Sequence, residues 1–573
     1  MPMKKNHTTC HNLCFIIVVT LSIIGLASVT NSKMMGLPSF PLPSASLDKM
    51  DSFFQKRTFY PEFINYFTSY PEFELVFNWL EYSFPDYLSP ANQQTRQTAE
   101  GIAFRYYSGT NSYLAIYENI LYYLDNKNVL YPLGDMGYWA QIAENDIPYH
   151  FYQKFALTLN NIYWGDFHAH TSYSKDAADC GAENPSGALE FARAEDKADL
   201  DFTALNDHAE MVNMSALPSQ DKDLWQSNLR ISTQYNNENP SAGKVFIVFP
   251  GWEYTNTKGV PGCTESTGYG HKNVVFKSLT DVADFRIGAC SMPPGRKAIN
   301  AQALWSDLSA FRSLTGSDEP KAFTFIHTPA HLGPDQGTTA TNHITDWNAM
   351  DADFTRHVEI ISKWGNSEGP QPAAANCTQE DALFEYENAE TLESNTLRNV
   401  LYQKWIIEGN SLYLLAFIGG TDNHKGHPGS WLEDYCDPGM HYIGGLTGIA
   451  STTLTRDSLW SSLSIRHTQA SSTGTKIPLL LSVEAGGQYL LMGEHLSLSG
   501  GRIRIRALSS ADVERIDIIV DGCVVANTAG SQIDRTFDLA PGRHFVYARA
   551  RLQGQDRAYQ AWTSPVYLGD STH

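Results

Sequence analysis

Between Asn161 and about Thr475, short apolar runs alternate with helical stretches, and this alternation limits the possible folds more than any other feature. The runs read "NIYWGDFH", "LDFTALND", "KVFIVFPGWE", "KAFTFIH", "HVEIIS" and "LYLLAFIGG". Residues Ser186 to Ala198 read as one of the intervening helices, with Ser186 as N-cap and an apolar face of Leu189, Phe191 and Ala192. Strands separated by helices pair as parallel neighbours, so the pattern predicts a parallel α/β architecture, with a barrel as one of its forms.

The flanks follow other patterns. After "HTQASSTGTKIPLLLSV" the helical signals stop, and "RIRIRAL", "RIDIIVDGCVVAN", "RTFDLAPGRHFVYARARL" and "QAWTSPVYL" read as strands divided by turns. About a hundred such residues predict an antiparallel β-sandwich, with support or attachment as its role. Upstream, Ser46 to Asn92 is aromatic, Pro-punctuated and suited to short helices. "GIAFRYYSGTNSYLAIYENILYYL" then alternates around a Gly-Thr-Asn turn as a small hairpin unit. The expected organisation is a leader over 1–32, a small α+β accessory region over 33–155, a barrel over 156–474 and the sandwich over 475–573.

The leader places Lys4 and Lys5 before an apolar run from Leu13 to about Val29, followed by small polar residues. This is the layout of a secretory signal, and it predicts export to a periplasmic or secreted location. An uncleaved anchor is the alternative, and would be the only attachment to a membrane, since no later segment is apolar enough to span one. Cys180, Cys263, Cys290, Cys377, Cys436 and Cys523 follow the leader without a CxxC pair, which excludes ribbon-type zinc sites but permits disulfides of unassigned connectivity.

A net charge of −21 on 573 residues excludes nucleic acid as a partner, since no basic stripe reverses it locally. A small anionic substrate remains compatible if bound cations invert the potential of one pocket. The 12% aromatic content suits an extracytoplasmic protein and carbohydrate contact. Oligomeric state is not legible.

Residues that ligate metals border the apolar runs. His168-x-His170 follows the first and Asp207-His208 follows "FTALN". Glu253 ends "VFIVFPGWE", His271 opens "GHKNVVF", His327 ends "AFTFIH" and Asp422-x-His424 follows "LLAFIGGT". Residues i and i+2 of an extended chain point to one side, so each spaced pair can face one ion. Strand ends gather at one rim of a barrel or sheet, where sites are built. Imidazole with carboxylate and no cysteine suits zinc, manganese or iron in an open site, and Glu253 could bridge two ions.

In this order the motifs resemble the polymerase and histidinol phosphatase (PHP) superfamily of metal-dependent phosphoesterases, and most closely its branch grouped as domain of unknown function 3604. The segments carrying the resemblance are "GDFHAHTSYSKDA", "LDFTALNDHAE", "FPGWEYT", "GYGHKNVVF", "VEIISKWGNSEG", "GGTDNHKGHPGSW" and "AWTSPVYL". The resemblance implies a distorted barrel of seven βα units and two or three divalent ions. It implies His168, His170, Glu253 and Asp422 on the first ion, and Glu253, His271 and His327 on the second. Asp176, His208 and His424 would hold the third. The sequence departs from the superfamily after His327, where an Arg is frequent. Here it reads "HTPAHLGPD", so His331 takes that place or the anion contact comes from elsewhere.

The resulting expectation is a hydrolase of phosphate esters using a metal-bridging hydroxide. Asp207 would orient a ligand or take a proton, its alternative being a hydrogen bond behind the ligands. His331, Lys272 and Lys425 would contact substrate or protonate a leaving group, against surface solvation. "KWGNSEGP" reads equally as a βα turn or as a segment whose Glu368 touches a ligand. The rivals are an amidohydrolase-like hydrolase of C–N or C–O bonds, a non-catalytic metal- or glycan-binding module, and a purely structural protein.

Overall fold

The computed structural model describes residues 77, 96–97, 103–107, 112–117, 120–124, 130–135, 162–208, 224–256, 270–280, 301–315, 321–330, 345–378, 392–430, 444–498, 500–553 and 559–571. The leader and His331 lie outside them. The chain divides into two compact units, 1–150 and 151–573.

In the first unit β1 (Arg96–Gln97), β2 (Ala103–Tyr107), β3 (Ser112–Tyr117), β4 (Ile120–Leu124) and β5 (Leu130–Asp135) form an antiparallel meander in chain order. The hairpin unit read from the sequence is its β2–β4 portion.

The second unit begins with β6 (Ile162–Asp166), β7 (Phe202–Leu205), β8 (Ile247–Asn256), β9 (Gly270–Phe276), β10 (Ala322–Ile326), β11 (Thr355–Ser362), β12 (Gly365–Asn366) and β13 (Ala416–Gly419). Strands β6, β7 and β8 are parallel, as are β10, β11 and β13. The exception is β9, which runs antiparallel to both β8 and β10. An all-parallel arrangement is thus corrected, and ligand geometry gives a reason: His271 opens its strand, whereas His168, His208, His327 and Asp422 follow theirs and Glu253 lies in the second half of β8. Only a reversed strand brings its first residues to the rim where its neighbours end.

Nor is the barrel closed. Past β6 the sheet continues through β14 (Gly445–Ala450) and β15 (Thr468–Ser472) rather than returning to β13. It extends into the C-terminal strands, making one sheet of 16. Of those strands, β16 (Leu479–Ala485), β17 (Gln488–Leu491), β19 (Gly501–Ser509) and β22 (Gln532–Leu539) form a separate four-stranded sheet. The remainder, β18 (His495–Leu496), β20 (Val513–Val520), β21 (Cys523–Ala529), β23 (His544–Leu552), β24 (Gln560–Thr563) and β25 (Val566–Leu568), join the large sheet. An apolar cluster including Leu481, Val483, Ile503, Ile505, Ile518, Val546 and Ala548 unites strands of both sheets. The C-terminal strands thus lie in two sheets, of which the larger is continuous with the α/β part through the β15–β24 pairing.

Helices are few among the described residues: α1 (Lys175–Asp179), α2 (Pro185–Arg193), α3 (Leu224–Tyr235), α4 (Ala301–Thr315), α5 (Leu397–Leu401) and α6 (Arg456–Ser464). Helix α2 starts earlier than its sequence pattern indicates, because Asn184 caps it by accepting from Gly187 N at 3.1 Å and Pro185 occupies the first turn. It buries Ala188, Leu189 and Ala192, while Phe191 stacks on His427 at 4.3 Å.

Two-residue periodicity sorts the strand side chains into layers. On the inner faces Phe249, Gly251 and Glu253 follow one another along β8, and Phe323 and Phe325 precede His327 along β10. Phe167, Phe202, Phe249, Phe323 and Phe325 fill the floor with Trp460 of α6, which lies 4.6 Å from Phe323 and 5.9 Å from Phe249. Asn206 and Asn273 make the next layer, joined by a 2.9 Å hydrogen bond. A Cβ at Gly251 would come within 2.2 Å of Asn206 Oδ1, so that layer requires glycine there. The ligands lie at the rim above.

Candidate metal centre

His168 and His170 leave β6 together, and Asp422 and His424 leave β13 together. A parallel bridge between Ala169 and Asn423 zips the two segments, with Asp422 N donating to His168 O at 2.7 Å and His170 N donating to Asn423 O at 2.9 Å. Each spaced pair therefore projects to the same side. Asp422 adopts a left-handed backbone (φ +49°), a conformation Asp accepts more readily than most residues. Asp166 holds the bases of both segments, accepting from His168 N at 2.9 Å, Gly429 N at 2.9 Å and the Thr421 hydroxyl.

All nine candidate ligands converge. Asp422 Oδ1 lies 3.2 Å from His168 Nε2 and 2.9 Å from His170 Nε2. Glu253 Oε2 lies 3.6, 3.3 and 3.0 Å from nitrogens of His168, His170 and His208, and its other oxygen is 2.7 Å from His271 Nδ1. Asp176 Oδ2 stands 3.2 Å from His208 Nε2 and 3.1 Å from His424 Nε2. His327 Nε2 is 3.4 Å from Asp422 Oδ2. Three trios present donor atoms within 4.8 Å of one another: His168, Glu253 and His327; His168, His170 and Asp422; and His170, His208 and His424. Asp176, at 34% exposure, marks the solvent side.

Two observations show that this donor set fits divalent cations. Glu253 Oε2 is buried among three imidazoles yet forms no hydrogen bond with them, a costly arrangement for a carboxylate unless a cation meets it. In addition, three imidazoles have Nδ1 tied away from the centre. His168 Nδ1 is 3.0 Å and His327 Nδ1 2.5 Å from Glu359, and His170 Nδ1 is 3.1 Å from Ser174 Oγ. An Nδ1–H so engaged leaves an unprotonated Nε2 aimed inward, as a metal ligand requires.

Electrostatics follow from the same crowding. Burial alone would raise Glu253, but His208 and His271 outweigh it and hold its carboxyl well below the usual range. Burial, with His424 and His208 beside it, pushes His170 down to about 3. The centre thus offers carboxylates and a neutral His170.

The remaining expected site residues are placed differently. Asp207 is buried, and its oxygens accept from Thr171 N and Oγ1 at 2.7 and 2.8 Å and from Ser174 N and Oγ at 3.1 and 2.9 Å. Four donors occupy this carboxylate, so it acts through Ser174, whose Oγ is shared with His170 and with His208 N at 2.9 Å. Lys272 lies between His271 and Asn273 on β9 and faces away from both, on the side where burial lowers its pKa to about 8. The Lys425 ammonium donates to Cys180 O, tying the late loop to the first. Neither lysine meets the ligands.

Other residues of the site were missed. Glu359, inside "HVEIIS", accepts from His168, His327 and Asn273 Nδ2, the last at 3.2 Å. A carboxylate within a buried apolar strand was the available signal. A Cβ at Gly420 would stand 2.6 Å from Glu359 Oε1, so a glycine there admits the carboxylate. Lys363 and Trp364, at the turn between β11 and β12, also reach Asp422 and His424. Glu368 does not reach the centre: it accepts from Arg398, Tyr547, Arg549 and Trp562 at 2.7–3.0 Å, joining the α/β part to β23 and β24.

Fold and donors together define an α/β protein with a buried histidine–carboxylate centre suited to divalent cations. Residues 158–223 match the family described as "Protein of unknown function (DUF3604)", and this segment carries His168, His170, Asp176, Asp207 and His208. The family resemblance read from the sequence therefore holds over that segment. An uncharacterized protein of Chlamydia pneumoniae is 27% identical over 250 residues, 40% of this chain and 37% of that protein. The match thus spans little more than a third of this curated relative. A solved two-domain protein of Bacteroides vulgatus, containing a predicted PHP-like metal-dependent phosphoesterase, aligns over 71% of this chain and 94% of its own, at 12% identity and a TM-score of 0.33.

Proposed function

We propose that this protein is an exported metal-dependent hydrolase of phosphate esters. The observation carrying the reading is Glu253, a buried carboxylate among imidazoles of His168, His170, His208 and His271 that forms no hydrogen bond through Oε2. A carboxylate in that position would help hold divalent cations, which would supply a nucleophile near neutral pH by lowering the pKa of water. His168, His170, Glu253 and Asp422 would hold one ion, Glu253, His271 and His327 a second, and Asp176, His208 and His424 a third. Zinc, manganese and iron suit these donors.

The chain's own residues set the geometry. Glu359, Ser174 and Asp207 orient imidazoles, Asp166 holds the two spaced pairs in register, and the phenylalanine floor with Trp460 closes the centre from below. The small anionic substrate enters on the Asp176 side. Export is supported by the leader in the sequence and by the disulfide between Cys377 and Cys523.

Elemental mass spectrometry on protein purified without chelator, followed by a panel of phosphomonoesters, diesters, lactones and amides, tests the reading. Two or three equivalents of metal with phosphate-ester turnover are expected, both reduced in His168→Ala. Turnover confined to amides or lactones would move the protein to an amidohydrolase-like reaction, and metal without turnover to a binding module. Intact metal content and hydrolysis in His168→Ala would show that the centre lies elsewhere.

A further inference from the structure

Strands β11 and β12 pair through Ile361 with Asn366 and Ser362 with Gly365, which leaves Lys363 and Trp364 as a two-residue turn. Gly365, at φ +104°, supplies a backbone angle open to glycine, and Trp364 N donates to Ser362 Oγ at 3.2 Å across the reversal. The turn lies at the ligand-bearing end of β11. From it the half-buried Trp364 donates Nε1–H to Asp422 Oδ2 at 2.6 Å. Lys363 Nζ stands 2.6 Å from His424 Nδ1, 3.7 Å from Asp422 Oδ2 and 5.2 Å from the centre of the Trp364 ring.

The indole contact separates the two oxygens of the Asp422 carboxylate. Oδ1 faces two imidazoles, 3.2 Å from His168 Nε2 and 2.9 Å from His170 Nε2. Oδ2 accepts from Trp364, with His327 Nε2 further off at 3.4 Å. The bridge to the His168 segment fixes the backbone of Asp422, but it leaves the side-chain torsions free to swing the carboxylate. Both imidazoles facing Oδ1 have a fastening of their own, His168 through Glu359 and His170 through Ser174. Among the described residues outside the ligand set, Trp364 is the nearest side-chain donor to Asp422, since the Lys363 ammonium stands at 3.7 Å. An indole N–H donates and never accepts, so Trp364 orients the carboxylate without becoming a ligand itself.

We infer that Trp364 is a positioning residue of the metal centre: its indole N–H holds Asp422 Oδ2, so that Oδ1 is the oxygen presented beside His168 and His170. This rests on the metal-dependent reading above, and it gives Asp422 the same kind of support that Glu359 and Ser174 give the imidazoles. Ligating carboxylates depend on such hydrogen bonds as ligating histidines do, because a donor behind the ligand fixes its direction before the ion arrives. The anchor is local in sequence and remote in effect. Trp364 stands in the turn of "KWGNSEGP", 58 residues before the carboxylate it orients.

The test uses the full chain, stripped with chelator and reloaded with zinc or cobalt(II). Zinc affinity is read by competition with a chromophoric chelator, and coordination by the visible absorption of the cobalt-loaded protein. The melting temperature of the metal-free protein reads packing. Trp364→Phe keeps an aromatic ring and removes the N–H. It is expected to weaken zinc binding by about 10–100-fold and to alter the cobalt spectrum, with the metal-free melting temperature unchanged. Trp364→Gln, which restores a donor, is expected to recover part of the loss. Wild-type zinc affinity in Trp364→Phe overturns the inference, as does a Trp364→Gln no better than Trp364→Phe. A weaker affinity that comes with a lower metal-free melting temperature and an unaltered cobalt spectrum also overturns it, by making Trp364 a packing residue. If wild-type protein binds neither zinc nor cobalt, the metal-dependent reading fails and takes this inference with it.

Discussion

Nδ1 of His327 lies 2.5 Å from Oε2 of Glu359, while the other oxygen of the same carboxylate lies 3.0 Å from Nδ1 of His168. One buried side chain thus fixes the tautomer and ring direction of two ligands that are 159 residues apart in the chain. Carboxylates behind metal-bound imidazoles typically strengthen metal affinity by about 10–100-fold. Glu359→Gln should weaken metal binding by about that factor and leave the fold intact, as measured by competition with a chromophoric chelator. Unchanged affinity would reduce Glu359 to a packing role.

Glu368 should behave in the opposite way. Its oxygens accept from Arg398 and Tyr547 at 2.7 Å and from Arg549 and Trp562 at 3.0 Å, all of them buried. Removing one partner of a buried ionic network strands the others, at a cost of about 3–5 kcal/mol. Glu368→Ala is expected to lower stability by about that amount in chemical denaturation. Metal stoichiometry of the folded fraction should be unchanged.

Cys377 and Cys523 are bonded across 146 residues, linking the segment after Glu368 to the start of β21. A bridge closing so long a loop restricts the unfolded chain strongly, and such bridges typically contribute about 2–4 kcal/mol. Cys523→Ser should therefore unfold at lower denaturant concentration, and reductant should shift wild-type protein in the same direction. An unchanged midpoint in Cys523→Ser would show that the two thiols are unlinked.

His357 predicts a pH dependence. It lies buried on β11 with Phe323 and Phe325 at 5.5 and 5.2 Å. Burial, reinforced by Arg466 and Arg356, pushes its pKa down from 6.5 to about 3. Between those values the unfolded chain takes up a proton that the folded chain refuses, so this residue makes stability fall as pH drops below 6.5. The slope approaches about 1.4 kcal/mol per pH unit from this group alone. His357→Leu should flatten the decline in stability between pH 6.5 and 5 by up to about 2 kcal/mol. Equal slopes in the two proteins would show that His357 takes its proton in both states.

Most of the ligand inventory was legible in the sequence because the donors border apolar runs, whereas Asp176, on α1, entered only through the family resemblance. His168-x-His170 and Asp422-x-His424 declare their geometry locally, since i and i+2 share a side in any extended segment. The supporting residues were less visible. Glu359 and Asn273 look like accidents within apolar strands until the strands are placed side by side, and Lys363 looks like a surface lysine of a turn.

What the sequence alone determined is the strand periodicity, the ligand types and their positions at strand ends, because these depend on a few neighbouring residues. Only the tertiary structure decided strand direction and partnership. It reversed β9 so that His271 meets Glu253, left the barrel open so that β14 and β15 lead into the C-terminal strands, and assigned Glu368 to the junction with them. It also turned Lys272 away from the centre and Lys363 toward it. These outcomes depend on contacts between segments tens to hundreds of residues apart, where burial, charge pairing and close packing are settled together and no local pattern records the result.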